Sequence, residues 1–153
     1  MKTMKQNIIL AIFILFGAST MTCIGQNNIY SITFIKHGTS FGECSGYCYH
    51  ETKYDSSMIT SYSKSWGKGP NNKIPDKLDT LIIDKNKWNS IIKSINLIEF
   101  NKLPTTIGCP DCTDGGAEWI EIGTRDKIYK VEFEYGVDIK AITELLKLLR
   151  QEN

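Results

Sequence analysis

The chain has little of what usually betrays chemistry. Only two histidines, His37 and His50, stand among its 153 residues. Neither has a partner at the spacing of a zinc hydrolase or an activated nucleophile, so each reads as an ordinary polar residue. No G-x-S-x-G, H-E-x-x-H or phosphate-loop pattern occurs. Ser61-Tyr62-Ser63-Lys64 and Ser90-Ile91-Ile92-Lys93 match S-x-x-K in letters only, without the companion motifs of penicillin-recognising enzymes. These absences lean against an enzyme. Residues 8–16 (IILAIFILF) form an apolar run of nine, well short of the roughly 18 residues that a membrane-spanning helix needs.

What is there begins with a leader. Lys2 and Lys5 precede that apolar run, and small and polar residues follow it, which is the layout of a secretory signal peptide over residues 1–25. Cys23-Ile24-Gly25 supplies small residues for release before Gln26. Lipid attachment at Cys23 is the weaker alternative, because Thr20-Met21-Thr22 lacks the Leu and the small residue of a lipobox. The sequence predicts an exported protein, periplasmic or secreted, with no transmembrane span in the mature chain. Of 18 basic and 17 acidic residues the leader removes two lysines, leaving 16 against 17. No basic excess remains for nucleic acid. Residues 26–153 suit a single domain, large enough for a core and small enough to gain from covalent staples.

Hydrophobic periodicity predicts an α+β fold. Residues 30–36 alternate Tyr30, Ile32 and Phe34 against Ser31 and Thr33 as a half-buried strand, broken at His37-Gly38-Thr39-Ser40. Residues 47–54 and 58–63 read as a hairpin around Asp55-Ser56-Ser57. Residues 66–76 hold two glycines, two prolines and two asparagines and read as a loop. A short extended segment over 78–83 leads to Asp84, the N-cap of a helix with Trp88, Ile91, Ile92 and Ile95 on one stripe, ending near Asn96. Residues 118–122 and 128–135 pair through a turn at 124–127, with Tyr129, Val131, Phe133 and Tyr135 on one face. Asp138 caps a last helix whose stripe is Ile139, Ile142, Leu145, Leu146 and Leu149. The expectation is an antiparallel sheet of about five to six strands with two amphipathic helices packed on one face.

Four cysteines of the expected mature chain fall in two close pairs, Cys44-Ser45-Gly46-Tyr47-Cys48 and Cys109-Pro110-Asp111-Cys112. An exported chain meets oxidation first, so structural disulfides are the leading reading. Stability favours bonds between the motifs: tethering about 65 residues is worth ~4 kcal/mol, whereas a bond within a motif restricts the unfolded chain much less. Geometry alone decides whether the motifs are neighbours. Two alternatives use the same four side chains. They could hold zinc, with Asp111 or His50 adjusting the site. Cys109 to Cys112 also matches a thioredoxin-type redox motif in letters, but a strand is predicted after it instead of the helix that would activate a thiol.

Two weaker constellations remain. Asp111, Asp114 and Glu118 with Gly115-Gly116 offer oxygens to a cation such as calcium, at a spacing unlike the EF-hand, and a solvated turn is the plainer explanation. Tyr47, Tyr49, Tyr54, Tyr62 and Trp66 cluster around the first cysteine pair; they pack the sheet, or Tyr47, Tyr49, Tyr62 and Trp66 form a binding surface for a partner, glycan or peptide. Cys44-Ser45-Gly46-Tyr47-Cys48, followed by a tyrosine-rich strand pair and later by a strand hairpin ending in a helix, resembles small uncharacterised exported bacterial domains with a C-x-G-x-C motif. Tyr49 stands where that group has proline. The resemblance implies export and carries no activity with it. The combined expectation is an exported domain with a binding or structural role in the cell envelope and no cofactor.

Overall fold

The computed structural model describes residues 31–66 and 74–151. The expected leader, its cleavage site, Cys23, Tyr30 and most of the loop expected over 66–76 lie outside these residues. Seven strands form one sheet: β1 (Phe34–Ser40), β2 (Tyr49–Asp55), β3 (Met58–Lys64), β4 (Lys77–Ile82), β5 (Thr106–Ile107), β6 (Ala117–Gly123) and β7 (Ile128–Glu134). Their order is β4-β3-β2-β1-β6-β7-β5, antiparallel throughout except for the parallel β5–β7 pair. Among the described residues three helices accompany it, α1 (Lys85–Lys93), α2 (Leu97–Phe100) and α3 (Thr143–Arg150). The protein is α+β with a mostly antiparallel sheet, larger than the five to six strands expected. No helix among the described residues is long and apolar enough to cross a membrane.

Strand β1 corrects the expected break at residues 37–40. His37, Gly38, Thr39 and Ser40 continue the strand, paired with β2 on one side and β6 on the other. Ile32, ahead of the strand, packs against the core as expected, but within β1 the buried parity is the reverse of the one expected. Ile35, His37 and Thr39 face the core, while Phe34 lies on the other face, where its ring fills the space over Gly123 and receives Lys53 at 5.5 Å. Two polar residues in a row of core-facing positions hid the strand from a periodicity argument.

One face of the sheet carries the core. Ile35, Tyr54, Ile59, Ile120, Ile122, Val131 and Phe133 meet Ile91 from α1, Leu97 and Phe100 from α2, and Leu145, Leu146 and Leu149 from α3. Full burial of each aliphatic side chain contributes about 1.5–3 kcal/mol, which makes the leucines of α3 its anchor. Asp84 caps α1 as expected, accepting from the backbone N–H of Asn86 at 2.8 Å and Lys87 at 3.2 Å. The helix stops at Lys93 instead of running to Asn96. Asn96 then caps α2 by accepting from the N–H of Glu99. At the last helix Asp138 is not the N-cap: a 3-10 turn over Lys140–Ile142 intervenes, and Asp138 accepts from the Thr143 hydroxyl instead.

The cysteines close locally, as Cys44–Cys48 and Cys109–Cys112, with Cα atoms 5.7 and 5.4 Å apart. This corrects the preference for bonds between motifs. Each bond closes so short a loop that its chain-entropy contribution is about 2 kcal/mol.

Candidate functional site

Both cysteine loops lie at the same end of the sheet, where β1 leaves, β2 enters, β6 enters and β7 leaves. Backbone bonds extend the sheet into them: Phe41 N–H donates to the Cys48 carbonyl, Cys48 N–H to that of Lys64, and Asp111 N–H to that of Gly116. The loops also hold each other. Asp111 accepts from the N–H of Gly42 at 3.2 Å, while Glu134 at the end of β7 ties the second loop to the sheet by accepting from the N–H of Cys109 at 2.9 Å. The Phe41 ring meets Tyr135 edge-on at 4.8 Å and occupies the space beside Gly116, whose φ of +84° suits only glycine well. Cys48 is buried, whereas Cys109 and Cys112 are exposed.

The sheet face away from the helices carries an aromatic strip at this end. Leu78 on β4, Tyr62 on β3, Tyr49 on β2 and Trp119 on β6 run across the strands. Gly38 on β1 lies between the last two, directly opposite Trp119, and a Cβ there would overlap the indole. The glycine therefore lets Trp119 lie flat on the sheet. Tyr49 packs against Trp119 with ring centroids 5.2 Å apart and meets Tyr62 and Trp66 edge-on at 6.0 and 6.1 Å, geometry that adds to the area buried. Trp66 keeps 39% of its surface exposed while its indole N–H donates to the Phe41 carbonyl at 2.7 Å. Charges flank the strip: Lys36 bridges Glu51 at 3.1 Å and reaches Glu121 at 4.0 Å, and Lys130 sits 5.9 Å from the Trp119 ring. Burial, reinforced by the negative charge of Glu51, pushes the Tyr49 hydroxyl well above its ordinary range.

The tyrosines named from the sequence divide. Tyr49 and Tyr62 belong to the strip together with Trp66. Tyr47 lies apart: it donates to the Pro75 carbonyl at 3.0 Å while Tyr62 donates to Asp76, so the two hydroxyls hold the segment that enters β4. Tyr54 is a core residue on the helix side. Trp119 and Leu78 escaped the sequence reading, although Trp119 already stood on the opposite parity to Ile120 and Ile122.

Glu118 does not join Asp111 and Asp114. It is fully buried on the helix side of β6 and forms a clamp, accepting from Arg150 Nε at 2.9 Å and Nη2 at 2.8 Å, from Gly136 N–H at 3.1 Å, and from His37 Nε2 at 2.7 Å. An ionised carboxylate only accepts, so Nε2 of His37 carries the proton in this pair. Burial alone would raise the Glu118 carboxyl; the hydrogen bonds from His37, Arg150 and Gly136 outweigh it and hold the group down at about 2. His37 is itself 1% exposed. Neither member of the pair can touch a substrate from solvent, and the clamp instead ties the end of α3 to β6 and, through Arg150 and the Val137 carbonyl, to the turn after β7. His50 is likewise engaged, with Ser63 at 3.0 Å and the Tyr47 carbonyl at 3.1 Å.

Among the described residues no three His, Cys, Asp or Glu side chains converge on a point that could hold a metal ion. Cys109 leads into a 3-10 turn over Cys112–Asp114, with Asp111, Thr113 and Asp114 at positive φ, and no α-helix starts there to stabilise a thiolate. No protein-family model matches the sequence, and no curated protein matches it.

Proposed function

We propose that this protein is an exported binding domain of the cell envelope, with its cysteines as scaffold and its recognition surface on the helix-free face of the sheet. The observation that carries the proposal is the strip of exposed Leu78 and Trp66 with part-exposed Tyr62 and Tyr49, laid against a Trp119 that is itself only 7% exposed and serves as their floor. Aromatic rings with one wet edge and a fixed orientation offer large contact area at low entropic cost. The cysteine loops supply rigidity beside them.

Cosedimentation of the purified protein with isolated envelope fractions tests the reading. Retention of the wild-type protein, with a loss of at least about tenfold in the Tyr62→Ala and Trp66→Ala double variant, supports it. Retention that ignores both substitutions, or turnover of a thiol or hydrolase substrate, overturns it. A second reading, thiol–disulfide exchange at Cys109 and Cys112, draws on the exposure of that bond. Its potential against glutathione decides: a bond that resists the glutathione pool is structural.

A further inference from the structure

We infer that β4 is a dimerisation edge, on which a second copy of this chain continues the sheet. All six residues of Lys77–Ile82 are exposed. Three are large and apolar, Leu78 and Leu81 at 67% and Ile82 at 90%. They cover both sides of the strand, Leu78 and Ile82 on the helix-free face and Leu81 on the other. β4 pairs with β3 alone, so its outer row of N–H and C=O groups is open among the described residues. Strands of this kind template pairing unless charged side chains, lysine above all, a proline or a bulge blunt them, and Lys77 at the start of β4 leaves Leu78–Ile82 with one charge, Asp79. Lys77–Ile82 has no proline, its register with β3 runs unbroken, and its one acid, Asp79, is ion-paired to Lys77 at 2.7 Å.

The other edge of the sheet restricts which self-contact a second copy can make. β5 is two residues long and cannot template a six-residue strand. A head-to-tail contact of β4 on β5 is therefore excluded, and the self-contact that remains is β4 on β4, which closes as a two-fold dimer. A two-fold perpendicular to the sheet makes this pair antiparallel and keeps equivalent faces together. In the register centred on Thr80, that residue opposes its own copy, and Leu78 opposes the partner's Ile82 at both ends. Leu81 then opposes the partner's Asp79. Shifting one step towards the N-terminus sets Asp79 against itself, a like-charge pair. One step the other way sets Leu78 against Asp84. Of the three, the Thr80 register makes the most apolar pairs, Leu78 with Ile82 at both ends, and opposes no like charges. A mature chain near neutrality, 16 basic against 17 acidic, adds no long-range repulsion.

Sedimentation over a concentration series, combined with cysteine cross-linking, tests this on the purified protein. The wild type should dimerise, and Leu78→Lys with Ile82→Lys should raise the dissociation constant at least about a hundredfold. Both sites are exposed, so circular dichroism should show the fold intact. Thr80→Cys should link to itself under mild oxidation, faster than Asp79→Cys or Leu81→Cys, because directly opposed residues lie within disulfide reach. A wild-type monomer at every concentration, a dimer indifferent to the two lysines, growth beyond dimers, or faster linkage at position 79 overturns the inference. Leu78 belongs to the aromatic strip as well, but Ile82 and Thr80 lie outside it and the readout is association alone, so the two readings fail separately.

Discussion

The Glu118 clamp makes a sharp prediction about acid stability. Its folded pKa of about 2 lies below the ordinary 4.5. A carboxyl that is harder to protonate in the folded state stabilises the fold at every pH above its unfolded pKa, and that contribution disappears as the pH falls through the folded value. At roughly 1.4 kcal/mol per unit, the shift contributes about 3 kcal/mol at neutral pH. Glu118→Gln keeps the shape and discards the charge. Urea unfolding of both proteins from pH 7 to pH 2 should therefore show a gap of about 3 kcal/mol above pH ~5 that narrows towards zero as the pH approaches 2. Other carboxylates titrate in the same window, and the difference between the two proteins cancels them. Arg150→Gln should cost at least as much at pH 7, since it leaves a buried carboxylate without its two guanidinium donors, and its penalty should also shrink in acid. A gap independent of pH would refute the argument, because the loss would then come from packing and not from charge.

Three further outcomes follow from the geometry. Trypsin cuts after Lys36, Lys53, Lys102 and Arg125, so each cysteine motif lies within one peptide; local bonds leave the two peptides separate by mass spectrometry, and any bond between motifs joins them. Replacing Cys109 and Cys112 together by serine should cost about 2 kcal/mol in urea unfolding, against ~4 kcal/mol for a long tether. Gly38→Ala should cost about 1–3 kcal/mol by displacing the Trp119 indole, with a changed near-ultraviolet dichroism that a purely backbone effect would not give.

How much of this could be read from the sequence depended on how locally each feature was encoded. The hairpin around Asp55, β7 with Val131 and Phe133 inward, and the cap at Asp84 all rest on neighbours a few residues apart, and they are found in place. Periodicity cuts β1 short because His37 and Thr39 occupy core positions that only distant partners make tolerable: Glu118 for the histidine, and pairing on both sides for the backbone. α2 gives no periodic signal, because four residues are too few for one, although Asn96-Leu97-Ile98-Glu99 has a capping residue three before an acid. The preference for linking the cysteine motifs failed for a related reason. Chain entropy ranks connectivities only where geometry permits them, and each motif turns tightly enough to close on itself. The aromatic strip draws on four strands spread over residues 49–119, and Gly38, the residue that flattens it, looked like a strand breaker.

The strip and the edge strand are connected by the symmetry that the β4 register requires. A two-fold perpendicular to the sheet leaves the helix-free faces of both copies pointing the same way, with Leu78 of each chain at the seam. Two aromatic strips then lie on one continuous surface. For a ligand free in solution this changes little, since each strip binds alone. For ligands fixed on an envelope surface the second contact becomes intramolecular, and avidity rises by roughly 10²–10⁴ where the spacing permits both. Ile82→Lys lies outside the strip and should leave the affinity for soluble fragments unchanged while lowering retention on intact envelope. Equal losses in both assays would show that position 82 belongs to the recognition surface itself, and equal retention would show that the two strips never engage together.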